Sequence, residues 1–89
     1  MTIINTTIAN NSGVGVGGIR NMLGLVRITN GTIAENLSFA AIAFPRTGGI
    51  ANDVQNNDSM ILQNTILAKN TSSAPFVGGP NCVVNVSQD

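Results

Sequence analysis

Short runs of alternating or β-branched apolar residues recur along the chain, and each leads into a polar, Asn-rich segment. Three of these runs are Ile-Ile at 3–4, Leu-Val-Arg-Ile at 25–28 and Met-Ile-Leu at 60–62. No stretch keeps the 3.6-residue period of an amphipathic helix beyond one turn. The pattern therefore predicts strands of about four to six residues. Gly and Asn at the ends of these runs accept the left-handed backbone conformations that sharp corners require.

A block of seven residues occurs three times, at residues 5–11, 30–36 and 64–70. Every copy reads Asn, any residue, Thr or Ile, Ile or Leu, Ala, any residue, Asn. A second block, which opens with a glycine pair, follows each copy, at 17–21, at 48–52 and, in degenerate form, at 78–82. The blocks are constant and the connections differ in length, which is typical of stacked coils with variable loops.

The repeated blocks favour stacking of successive coils over a meander of hairpins. A hairpin needs a short turn such as Asn-Gly at its tip. The one Asn-Gly pair, Asn30–Gly31, instead lies inside a repeated block. We therefore predict an all-β parallel β-helix, or β-solenoid, of about three coils in residues 1–82, with coils starting near 3, 27 and 61. Pro80 replaces Ile in the third glycine block, so the repeat is expected to end there and 83–89 to form a frayed tail.

Stacking assigns structural roles to the repeated positions. An aliphatic interior column is expected at Ile8, Ile33 and Leu67. A tight column where the wall turns is expected at Ala9, Ala34 and Ala68. A ladder of side-chain amides, each bonded to the next coil, is expected at Asn5, Asn30 and Asn64. The alternative for these asparagines is a solvent-facing turn cap.

Composition narrows the class of protein. Hydrophobic residues make up 43% of the chain, yet the only aromatics are three Phe, so the core must consist of small aliphatic side chains. Charged residues make up 9% and the net charge is zero, which excludes the basic surface of a nucleic-acid binder. No apolar run approaches the roughly 18 residues of a transmembrane helix. The first residues also lack the charged and apolar regions of a signal peptide.

The repeats resemble those of a known group of proteins. The runs 28–36, 48–52 and 64–70, the last leading into 79–82, are similar to the right-handed parallel β-helix repeats of bacterial surface and secreted proteins. These are the polymorphic-outer-membrane-protein-like and pectate-lyase-like (pectin lyase-like) repeat proteins, and the resemblance covers residues 2–82. It implies a right-handed coil, an extracellular or cell-surface location, and a chain that is a segment of a longer exported protein.

The chain offers no constellation typical of catalysis, cofactor binding or metal binding. Its four acidic residues are scattered over different connections as Glu35, Asp53, Asp58 and Asp89, whereas a general acid and base must converge on one bond. The glycine-rich run 13–18 lacks the Lys-Ser/Thr of a phosphate loop and is predicted to be a turn. Cys82, the single cysteine, is interpreted as an inert thiol or as half of a bridge to a residue beyond this chain.

These observations favour a structural or binding module whose outer face contacts carbohydrate, and whose coils pack against further coils of a parent chain. One alternative is a non-catalytic remnant of a pectate-lyase-like enzyme that degrades polysaccharide. Another is an adhesin-type module that self-associates through its open coil ends, because unpaired strand edges invite pairing.

Overall fold

The structure, a computed structural model, describes residues 1–22, 24–39, 47–53, 59–72 and 81–85. Within these ranges the chain forms twelve short strands and no helix. The all-β class expected from the apolar alternation is therefore confirmed.

The strands fall into three successive sets of four, and we call each set a coil. Coil 1 contains β1 (Thr2–Ile4), β2 (Thr7–Ala9), β3 (Ser12–Gly13) and β4 (Ile19–Asn21). Coil 2 contains β5 (Leu25–Thr29), β6 (Thr32–Ala34), β7 (Leu37–Ser38) and β8 (Ile50–Asp53). Coil 3 contains β9 (Ser59–Gln63), β10 (Ile66–Ala68), β11 (Thr71–Ser72) and β12 (Cys82–Asn85).

Each coil contributes one strand to each of four three-stranded sheets, ordered β1-β5-β9, β2-β6-β10, β3-β7-β11 and β4-β8-β12. All the strand pairs are parallel, and coil 2 is the central member of every sheet. The parallel stacking predicted from the repeated blocks is therefore confirmed. The molecule measures 32 × 32 × 15 Å, and its short axis fits three strands at a ladder spacing of about 4.8 Å. This arrangement is consistent with a β-solenoid.

The apolar core is centred on coil 2. Its members, with exposed fractions of 0–8%, are Ile19, Val26, Ile28, Ile33 and Ile50. Side chains from the outer coils pack against this cluster but are only partly buried, because each outer coil has a neighbour on one side; they are Ile3, Ile8, Met60 and Leu67. Full burial of one such aliphatic side chain contributes about 1.5–3 kcal/mol, so most of the hydrophobic stabilisation comes from the central layer.

Left-handed residues turn the chain at the same two places in every coil. The first-corner row follows β1, β5 and β9 and consists of Asn5, Asn30 and Asn64, with φ of 50°, 54° and 48°. The second-corner row follows β2, β6 and β10 and consists of Asn10, Glu35 and Lys69, with φ of 59°, 58° and 56°. Asn tolerates this conformation because its short polar side chain can bond locally. The first and sixth positions of each seven-residue block are therefore corners, and the three-residue strand between them is a wall.

Strand β12 requires two corrections to the expected end of the repeat. Because Cys82–Asn85 pairs with β8, the last coil extends to Asn85, and the frayed tail does not begin at residue 83. The partner of Cys82 is Ile50, so Asn81 takes the register of Gly49 and the expected alignment of 78–82 with 48–52 is wrong. Pro80, the glycine pair at 78–79 and residues 86–89 lie outside the described residues.

Candidate functional site

A row of asparagine side chains crosses all three coils beside the second corner. Nδ2 of Asn11 donates to Oδ1 of Asn36 at 3.0 Å, and Nδ2 of Asn36 donates to Oδ1 of Asn70 at 3.0 Å. Nδ2 of Asn70 then donates to Oδ1 of Asn81 at 2.9 Å. Each accepting oxygen also receives the backbone N–H of the preceding asparagine, at 3.0–3.1 Å. We call these four residues the amide ladder.

The inner members of the amide ladder are buried and fully hydrogen-bonded. Asn36 is 0% and Asn70 is 2% exposed. The second N–H of each side chain reaches the coil before it, from Asn36 to the carbonyl of Ile8 at 3.0 Å and from Asn70 to the carbonyl of Ile33 at 2.9 Å. A buried amide without partners would cost about 1–3 kcal/mol, so these bonds are what allow asparagine inside the wall.

The position of the amide ladder corrects the prediction from the sequence. The ladder uses the last asparagine of each seven-residue block, whereas we expected the first, at Asn5, Asn30 and Asn64. Those first asparagines are exposed and have positive φ, as in the alternative of a solvent-facing turn residue. The physical reason is that the first asparagine must adopt the left-handed conformation itself, whereas the last one follows the left-handed residue and can point inward.

The structure brings together the members of the aliphatic column and, separately, the members of the alanine column. Ile8, Ile33 and Leu67 share one register position in the sheet β2-β6-β10. Ala9, Ala34 and Ala68 share the next position, half-buried and immediately before the second corner. The small side chain therefore occurs where the wall begins to turn.

A second, shorter amide contact links coils 1 and 2 at the ends of β4 and β8. Nδ2 of Asn21 donates to Oδ1 of Asn52 at 2.8 Å, and it also contacts the carbonyl oxygens of Gly24 at 3.0 Å and Ser59 at 3.1 Å. In coil 3 the same register is Val84, which has no side-chain amide. The repeated Gly-Gly-Ile-x-Asn sequence could have revealed this contact, because its asparagine recurs at one position, but we did not predict it.

The outer surface carries the two corner rows as regular arrays. All members of the first-corner row are exposed, at the strand spacing of about 4.8 Å that parallel pairing imposes. The second-corner row is exposed as well, but its members are chemically different: an amide, a carboxylate and an ammonium. The first-corner row is therefore the more uniform surface, with one asparagine side-chain amide per coil.

The described part of the chain shows neither an enclosed cavity nor a group of three or more His, Cys, Asp or Glu residues. Glu35 is exposed on the second corner. The backbone of Asp53 ends β8, whereas Asp58 and Asp89 lie outside the described residues.

Cys82 lies in coil 3, in the same inward-facing register as Ile19 of coil 1 and Ile50 of coil 2. Those two isoleucines are buried, whereas the cysteine is exposed and free. Its partial burial raises the pKa of the thiol, because desolvation disfavours the thiolate. A thiol in this state is a weak nucleophile near neutral pH.

Neither a protein-family model nor a curated protein nor a solved structure matches this chain. Over the residues that the structure describes, there is no helix with the length and apolar character needed to cross a membrane.

Proposed function

We propose that the chain is a three-coil segment of a right-handed parallel β-helix in an exported bacterial surface protein, where it acts as a scaffold and binds carbohydrate on its outer face. The parallel register of three repeated blocks supports the β-helix. The observation that carries the binding role is the first-corner row. It presents Asn5, Asn30 and Asn64 to solvent in one backbone conformation.

The chemistry of that row suits sugars. A primary amide offers two donors and an acceptor, so it can pair with a hydroxyl in either direction. Because the amides repeat once per coil, the row would match an extended polysaccharide better than a single sugar. Thr6 and Thr65 stand beside the row, and their hydroxyls donate to Ile4 O at 2.8 Å and Gln63 O at 2.9 Å, which holds these corners in place.

A glycan array with matched triple variants tests this proposal. Asn5→Gly/Asn30→Gly/Asn64→Gly removes the row while keeping a residue that accepts positive φ. The control, Asn10→Gly/Glu35→Gly/Lys69→Gly, makes the same backbone change at the other corner and leaves the net charge unaltered. We expect the first variant to bind polysaccharide about tenfold more weakly or worse, a loss of at least about 1.4 kcal/mol, and the control to bind as the native chain does.

Two results would contradict the proposal. One is equal binding by both triple variants, and the other is the lack of any binding by the folded native chain. Circular dichroism would establish that each variant retains its β structure. Cleavage of a bound polysaccharide by the native chain would show a catalytic activity that neither the binding role nor the non-catalytic remnant includes.

Self-association is a second candidate function, favoured by the strand edges. In each described sheet the coil 1 strand and the coil 3 strand have one neighbour only. Light scattering of the native chain should show mass increasing with concentration, since open edges pair readily. The N–H of Asn10 donates to Ala34 in coil 2, and N–H directions alternate along a strand, so the N–H of Thr7 points to the free edge of coil 1. Thr7→Pro removes this donor without breaking a bond to coil 2. If the coil 1 edge takes part in self-association, the variant should have the lower mass.

A further inference from the structure

Asn81 fills the place that an asparagine from a fourth coil would otherwise take. Its Oδ1 accepts both the backbone N–H of Asn70 at 3.1 Å and the Nδ2 of Asn70 at 2.9 Å. Oδ1 of Asn70 receives the same two bonds from Asn36. Asn81, however, belongs to coil 3, the same coil as Asn70. The amide ladder is therefore completed within coil 3.

Asn81 also places a side chain where the other coils have none. The carbonyl of residue 81 accepts the N–H of Ile50, as the carbonyl of Gly49 accepts the N–H of Ile19, so 81 and 49 are equivalent. A Cβ on Gly49 would overlap the Asn81 carbonyl oxygen in the next coil. A Cβ on Gly18 would lie only 2.5 Å from the Gly49 carbonyl oxygen. In this geometry a coil can be stacked only on a coil with glycine at this position.

The opposite end of the amide ladder is open. Oδ1 of Asn36 and of Asn70 each receives two N–H groups from the coil before it. Asn11 is the exposed first member, and within the described residues no N–H group reaches its Oδ1. The ladder has a direction, because each coil donates to the next. Coil 1 therefore presents acceptors, whereas the donors of coil 3 are already bound by Asn81.

From this asymmetry we infer that Asn81 is a cap that blocks the stacking of a further coil on coil 3, and that the free edge of coil 1 is a docking surface for a parallel coil. The occupant has the chemistry of coils 1 and 2: an asparagine at the ladder position and a glycine pair before its fourth strand. The structure already contains this contact twice, between coils 1 and 2 and between coils 2 and 3. A second native copy cannot fill this place with its coil 3, because that end is capped. The inference concerns which end of the stack associates, and it does not depend on carbohydrate binding.

Removal of the cap provides the test. Pro80 and Asn81 immediately precede β12, where coils 1 and 2 have Gly17–Gly18 and Gly48–Gly49 before β4 and β8. Pro80→Gly/Asn81→Gly restores that pair, so coil 3 of one copy could stack on coil 1 of the next. Sedimentation velocity should show a coefficient that rises with concentration for this variant and open-ended polymers at high concentration. The native chain should form no such polymers.

The Asn11→Ala substitution added to the cap-removal variant is the matched control. It deletes the acceptor at the receiving end, so the polymers should be lost or strongly reduced. A cap-removal variant that is folded by circular dichroism and sediments as the native chain does would overturn the inference. Native chains that polymerise head to tail as readily as the variant would also overturn it. A native monomer together with a polymeric variant would refute native self-association but support the cap.

A covalent version keeps the inference testable if the cap-removal variant does not fold. A copy of residues 25–59 fused before Met1 of the native chain supplies an uncapped coil to coil 1. We expect a higher thermal midpoint for the fusion than for the native chain, and a smaller rise when the copied Asn36 is replaced by Ala. An added segment that remains protease-sensitive, with no rise in the midpoint, would show that coil 1 is not a docking surface.

Discussion

Nδ2 of Asn36 lies 3.0 Å from Oδ1 of Asn70, and it also lies 3.0 Å from the carbonyl oxygen of Ile8. One side chain of coil 2 therefore bonds to coil 3 on one side and to coil 1 on the other. Because the same amide accepts from Asn11, its loss would break contacts with both neighbours.

Replacement of Asn36 by Ala should strongly destabilise the folded chain. The change removes the partner of the Asn11 donors and of the Ile8 carbonyl, and each hydrogen bond lost contributes about 0.5–1.5 kcal/mol. We expect the free energy of unfolding to fall by about 2–4 kcal/mol in urea titrations. Asn11→Ala, at the exposed end of the ladder, should cost about 1 kcal/mol or less. Equal losses for the two variants would contradict a buried central ladder.

The aliphatic columns should be most sensitive at their centre. Ile33 is 1% exposed, whereas Ile8 and Leu67 in the same register are partly buried. We expect Ile33→Ala to destabilise the chain by about 2–5 kcal/mol, as large-to-small changes in a packed core do. Ile8→Ala should cost less, because the side chain is already in partial contact with water. Thermal denaturation of the two variants at matched concentration compares them directly.

The glycine pair of coil 2 should not tolerate a side chain. A Cβ on Gly48 would overlap the carbonyl oxygens of Asn36 and Thr71, which are backbone atoms on two different coils. We expect Gly48→Ala to prevent stable folding or to cost at least about 3 kcal/mol. Gly24→Ala is the control: Gly24 has φ of 96°, but a Cβ at this position would meet no atom within 4 Å, so its cost should be conformational and about 1–2 kcal/mol. A milder effect at residue 48 than at residue 24 would refute the close approach.

Substitution at two positions of the second-corner row should stabilise the folded chain. Glu35 and Lys69 adopt φ of 58° and 56° with side chains that do not favour this region, whereas Asn10 is the equivalent residue in coil 1. We expect Glu35→Asn to raise the free energy of unfolding by up to about 1 kcal/mol. Glu35→Gln, which removes the charge without helping the backbone, serves as the control. A gain of the same size with Gln would assign the effect to charge.

The Cys82 thiol should ionise at a higher pH in the folded chain than in the unfolded chain. Partial burial raises its pKa in the folded state, so folding favours the neutral thiol. The resulting stability is fully present below the pKa of the unfolded thiol and is lost as pH rises through the higher folded pKa. Alkylation rates against pH should therefore have a higher midpoint without urea than with it. Cys82→Ala should remove this component of the stability loss in alkaline solution.

The wall strands were predictable from the sequence because the same pattern of residues occurs three times along the chain. The apolar runs at 3–4, 25–28 and 60–62 indicate strands, and the constant blocks indicate that Ile8, Ile33 and Leu67 stack in parallel. The repeat thus supplies long-range information that a single strand pattern lacks.

The location of the amide ladder was not predictable from residue types alone. Every seven-residue block begins and ends with asparagine, so composition cannot tell a left-handed corner residue from an inward amide. The distinction depends on φ at the first position and on the left-handed residue just before the last. The capping role of Asn81 was missed for a related reason, because the visible glycine pair suggested an alignment that strand pairing does not follow.

The central position of coil 2 has a consequence for how this architecture grows. Three coils create two interfaces, and coil 2 takes part in both, so local melting of coil 2 removes all inter-coil pairing at once. Three is also the smallest number at which a linear array has an inner member. Each extra repeat would add one interface while the number of boundary layers stays at two, so stability per repeat rises with the number of coils.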